Sequence, residues 1–118
     1  MLTERRDYLL RLIQQAGAAA RRLREMLTGE AAADDVAREA EDAIATLLGG
    51  RSQSQLLERV DADTAVQLLG DPDRLRLWIE LLRVQADACI RHGSRHQGEQ
   101  LLARALALEA AGARLSGR

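Results

Sequence analysis

LRLWIELLRVQADACIRHGSRHQGEQLLARALALEAA (residues 75–111) reads as two antiparallel helices joined at Gly93. In its first half Leu75, Trp78, Ile79, Leu82, Ala86, Cys89 and Ile90 recur at helical spacing, and Leu81 widens the stripe. Opposite them Arg76, Glu80, Arg83, Asp87 and Arg91 alternate in sign at intervals of three and four, the pattern of a solvent face. Asp71 is placed to cap this helix, and Pro72 falls at its first position, where a missing N–H does no harm. Gly93 closes it. Ser94-Arg95-His96-Gln97 then has the spacing of a capping box for a last helix, with Leu101, Leu102, Ala105, Leu106 and Leu108 as apolar positions. Gly112 to Arg118 is expected to fray.

Upstream, a first helix is expected over 3–27, with Leu9, Leu12, Ile13, Ala16, Ala20, Leu23 and Leu27 on one side and Arg6, Arg11, Gln14, Arg21 and Glu25 mostly on the other. Gly17 costs about 1 kcal/mol against Ala inside a helix, and its alanine neighbours suggest that another helix approaches closely there. Gly29 suits the left-handed residue that follows a helix. A second helix over 32–48 buries Val36, Ala40, Ile44, Leu47 and Leu48, and Asp34, Asp35, Glu39 and Glu41 suit the dipole of its first half. Gly49-Gly50 stops it. Arg51 to Gln55 reads as a polar linker, followed by short helices around 53–59 and 62–69, the latter capped by Asp61. Leu56, Leu57, Val60, Val66, Leu68 and Leu69 are their apolar anchors.

The expected fold is therefore all-α: one domain over 1–118, with a first hairpin at 3–48, short helices at 53–70 and a second long hairpin at 72–112. Composition agrees. Ala and Leu dominate, Pro72 is the one proline, Phe is absent, and Trp78 and Tyr8 are the only aromatics, which starves a sheet of its usual packing residues. A chain of this length buries roughly two thirds of its unfolded surface. All 17 basic residues are Arg, which reads as the codon bias of a GC-rich bacterial genome. Net charge is −1, so no global field draws in nucleic acid or acidic membranes. A single cysteine fits a reducing cytoplasm, and neither a signal-peptide core nor a run of transmembrane length is present in the sequence.

Leu82-x2-Gln85-Ala86-x2-Cys89 followed by Gly98-x3-Leu102-x2-Ala105 resembles one tetratricopeptide repeat. Small residues at Ala86, Gly98 and Ala105 let two helix backbones approach. Gln85 stands where the family has leucine, Cys89 where it has tyrosine and Ala110 where proline is usual. Ala40-x3-Ile44-x2-Leu47 is a weaker echo 58 residues earlier than Gly98, whereas a tandem array recurs at about 34. Taken whole, the order of Asp7-Tyr8-Leu9-Leu10-Arg11-Leu12-Ile13, Leu47-Leu48-Gly49, the Asp-rich short helix ending at Leu69 and the closing hairpin looks like a family of small bacterial helical proteins of unknown function. That resemblance implies a fold and no active site.

Cys89, His92 and His96, spaced C-x2-H-x3-H, are the only cluster of candidate metal ligands, with Asp87 or Glu99 nearest as a fourth. Gly93 and Ser94 interrupt the helix there, so Cys89 reads more plainly as a small packed hydrophobe and the histidines as solvated turn residues. There is no G-x-S-x-G, P-loop, G-x-G-x-x-G or H-E-x-x-H motif, and the carboxylates Asp34-Asp35 and Asp61-x-Asp63 lie where helices start. Arg5-Arg6, Arg21-Arg22-Arg24 and Arg91/Arg95 have acids interleaved almost one for one, which suits solvated helix faces better than nucleic acid. Trp78 is expected as a core anchor beside Gly17, with a partner contact as its other role. The expectation is a non-catalytic interaction or assembly module without cofactor, acting on a protein partner or a second copy, with a groove between the first and fifth helices as its surface. A metal- or thiol-based site at the Cys89–His96 turn is the competing expectation.

Overall fold

The structure, a computed structural model, describes residues 2–29 and 31–117. Six helices follow one another: α1 (Leu2–Thr28), α2 (Ala33–Leu47), α3 (Arg51–Arg59), α4 (Ala62–Leu69), α5 (Pro72–Arg91) and α6 (Arg95–Ser116), with no strand among the described residues. The fold is all-α. α1/α2 and α5/α6 are the two long hairpins, and α3 and α4 connect them.

α5 is the centre. It packs most extensively on α6 and α2, then on α1, and it also touches α4. Burial follows from that position: besides Trp78, Ile79, Leu81, Leu82, Ala86 and Cys89, the helix buries Leu77, Val84, Gln85 and Ala88. A single stripe was the expectation, but a helix with neighbours on three sides buries nearly its whole circumference. Leu77 lies against Gly17, Asp87 pairs with Arg24, and Arg91 reaches Leu27, so α5 runs parallel to α1. Arg74 at its start reaches Leu47 at the end of α2, so those two run antiparallel.

The second hairpin closes on small residues. A Cβ built at Gly98 would stand 2.5 Å from Ile90 Cγ1 and 2.9 Å from the Ala86 carbonyl oxygen, so only glycine fits where α6 crosses α5. Ala86 and Ala105 are fully buried. Gly93, at φ 98°, adopts the left-handed conformation that lets the chain reverse. Its N–H donates to Ile90 O (3.2 Å) and that of Ser94 to Cys89 O (2.8 Å), the paired bonds of a Schellman turn. α2 ends the same way, with Gly50 N–H on Ala45 O (2.7 Å) and Gly49 N–H on Thr46 O (3.2 Å).

Several expectations need correction. Ser94 makes no side-chain cap: held in the Schellman turn at ψ 60°, it lacks the extended conformation that aims a hydroxyl at the following N–H groups. Arg51 to Gln55 is helix, because Gly50 already turns the chain and its carbonyl accepts the Ser54 N–H at 2.9 Å. The tail stays helical to Ser116, since Gly112 packs against Leu75. Gly29 has no positive φ. Gly17 has room for a methyl group, its nearest neighbours being Arg21 Nη1 at 3.7 Å and Leu77 Cδ2 at 4.0 Å, so close approach does not explain it. Trp78, 1% exposed, lies under Arg104 of α6, whose guanidinium is 6.0 Å from the ring centroid, while Leu77 is the residue that meets Gly17. Leu56, Leu68 and Leu106 are exposed, whereas Ala65 and Ala111 are buried.

Candidate partner-binding groove

The polar stripe of α5 lies in a valley between α1 and α6. On the α6 side a cavity of about 560 Å³ has Leu75 and Ile79 in its wall, with Arg24, Arg76, Glu80, Arg83 and Glu109 around it. On the α1 side a second cavity of about 460 Å³ is lined by Ile13, Gln14, Gly17, Arg21, Arg76, Leu77 and Glu80. Arg76 and Glu80 line both, so the two cavities flank the same stretch of α5. The cavity on the α1 side lies where the sequence places a groove between the first and fifth helices, whereas the one on the α6 side has no counterpart in that expectation.

Of the alternating charges along α5, Arg83 and Asp87 do not pair along the helix as their spacing suggests. Arg83 reaches Glu109 on α6 (2.7 Å) and Asp87 reaches Arg24 on α1 (2.9 Å), so they tie the valley walls together at its closed end. Arg76 stands 3.8 Å from Asp73, one turn back. Pairs this exposed contribute little to stability, and their main effect is to fix where charge sits. The open end of the valley keeps Arg21 and Arg76 as exposed cations.

Cys89, His92 and His96 fall apart as a site. Cys89 is 5% exposed, and burial, with Glu41 adding to it, raises its thiol pKa above the ordinary value. His92 ends α5 and His96 lies in the first turn of α6, both exposed. Among the described residues no three His, Cys, Asp or Glu side chains are grouped to hold a metal. Of the paired carboxylates, Asp61 caps α4 by accepting the Thr64 N–H at 2.7 Å, and the Thr64 hydroxyl, followed by that N–H, lowers its pKa. Asp34 caps nothing beyond the adjacent Asp35 N–H, and α2 starts from Ala32 without a side-chain cap. Asp63 pairs with Arg114 instead.

Sequence reasoning missed a role for arginine. Arg91 donates to Leu27 O, Arg74 donates through Nε (3.2 Å) and Nη2 (2.7 Å) to Leu47 O, and Arg104 donates to Leu57 O (2.8 Å) and Val60 O (2.9 Å). Each finishes the carboxyl end of a different helix, α1, α2 and α3, where carbonyls lack helical partners and positive charge is favoured. The spacing of residues along one helix carries no signal for such long-range contacts. Arg22, from the cluster on α1, meets Glu39 at 3.3 Å.

No protein-family model, curated protein or solved structure matches this chain. No helix among the described residues is long and apolar enough to cross a membrane.

Proposed function

We propose that this chain is a non-catalytic protein-binding or assembly module that works through the concave face of α5. One observation carries the reading: a valley with apolar walls, rimmed by arginine and glutamate, runs beside the best-packed helix of the fold. Rigid grooves of this kind take an amphipathic helix or an extended peptide, with apolar anchors below and charges fixing register. The α5–α6 hairpin is read as tetratricopeptide-like, supported by the contact of Gly98 with Ala86 and by buried Ala105. A single buried cysteine and the ion-paired, acid-interleaved arginines favour a reducing cytoplasm and a protein rather than a nucleic-acid partner.

The test compares what the immobilised wild-type chain and Arg76→Glu retain from an extract of the native host, read by quantitative mass spectrometry. Retention of one protein, or of the untagged chain itself, that the charge reversal abolishes supports the module. Identical profiles from the two baits refute it. The Cys89 turn has no observation in its favour.

A further inference from the structure

α1 is far longer than the helix it pairs with. Its 27 residues against 15 in α2 correspond to about 40 Å and 22 Å at 1.5 Å per residue, and the longest dimension of the molecule is 43 Å. The last turn of α2, at Thr46 and Leu47, lies beside Leu12 to Ala19. From Glu4 to Arg11 no side chain of α1 is buried, and Tyr8 and Leu10 are half exposed, at 51% and 50%. A helical arm of two to three turns without tertiary support is marginal in water, and this one carries apolar surface.

The arm projects from the same end of the molecule at which the valley opens, because α5 runs parallel to α1 and begins there. We propose that the arm of a second copy of this chain occupies the valley, reciprocally, in a closed two-fold dimer; this rests on the reading of the valley as a protein-binding surface. Two copies set end to end each point an arm along the valley of the other, and a two-fold exchange closes without leaving a free site. Charge fits. Glu4 and Asp7 on the arm suit a rim that exposes Arg21 and Arg76, while Arg5, Arg6 and Arg11 suit Glu80. Tyr8 and Leu10, two residues apart and so on opposite sides of the arm, can each meet one wall, at Leu75 and at Ile13, and a Tyr entering such a wall is a common hot spot.

Analytical ultracentrifugation across a concentration series reads the outcome directly. The wild type is expected to sediment as a dimer. Tyr8→Glu with Leu10→Glu on the arm, and Arg76→Glu with Arg21→Glu in the valley, should each give monomers with unchanged circular dichroism, since all four positions lie outside the core. Mixing the valley variant with an Asp7→Arg, Glu4→Arg arm variant should restore a dimer through one charge-swapped arm. A monomeric wild type at all concentrations overturns the proposal, as does a dimer indifferent to both sets of variants. If the wild type is monomeric yet still retains another protein through Arg76, the exchange is wrong and the module survives.

Discussion

Arg74 shows how much one side chain does here. Its guanidinium places two donors on one carbonyl at the end of α2, and its own helix start is capped by Asp71 through the Asp73 and Arg74 N–H groups. Replacing it with Ala is expected to lower stability by about 1.5 kcal/mol, the scale of a charged hydrogen bond, measured by urea unfolding. Lys, which keeps the charge near the helix end but not the fork, should recover about half of that loss. Asp61 gives a pH dependence. Its hydrogen bonds with Thr64 hold its pKa below the ordinary 3.8, so its contribution is complete above that value and lost as pH falls through the lower folded one. The stability gap between wild type and Asp61→Ala should therefore be widest near neutrality and narrow toward about pH 2, followed by urea midpoints. Cys89, buried and with a raised thiol pKa, should react with a thiol reagent only at the rate at which the chain opens.

At the level of helices, two glycines prove opposite. Both sit inside helices at positions where a small residue suggests close packing. Gly98→Ala is expected to destabilise by about 1–3 kcal/mol, because its methyl group meets the Ala86 backbone oxygen, which cannot move aside. Gly17→Ala should stabilise by about 0.5–1 kcal/mol, since the space is free and the helix gains propensity. Thermal melts of the two variants decide it. Spacing along one helix cannot tell these sites apart, because the deciding atom belongs to another helix. The same reason separates what was legible from what was not. Periodicity located all six helices, and the local signals at Asp61, Asp71-Pro72 and Gly93 proved structural. Ser94 failed because two local motifs compete for one residue and the turn wins. Leu68 and Leu106 failed because α4 and α6 each present only part of their apolar residues to the core. The α1 side of the valley was legible as a place between the first and fifth helices, but its α6 side and its charge pairs across helices were not.

For the molecule as a whole, α5 makes two hairpins into one cooperative body. Leu81 and Val84, fully buried on it, belong to the same core cluster as Leu23 of α1, Val36 of α2 and Leu108 of α6. Leu81→Ala is expected to cost about 2–5 kcal/mol and to unfold both hairpins together. Trp78 fluorescence, which reports on the second hairpin, should then trace the same urea transition as backbone circular dichroism. Separate transitions would mean that the first hairpin stands on its own.

The arginines that finish α1, α2 and α3 all come from the second hairpin, at positions 91, 74 and 104. During synthesis the first half of the chain emerges with its three helix ends open and with the helix that fills its core not yet made. A nascent chain halted after Gly70 therefore has the helical sequence of α1 to α4 without the arginines that finish α1, α2 and α3. The helix and the arginines that complete the first half follow residue 70, so a partner or chaperone meeting the chain before then encounters open helices rather than a finished valley.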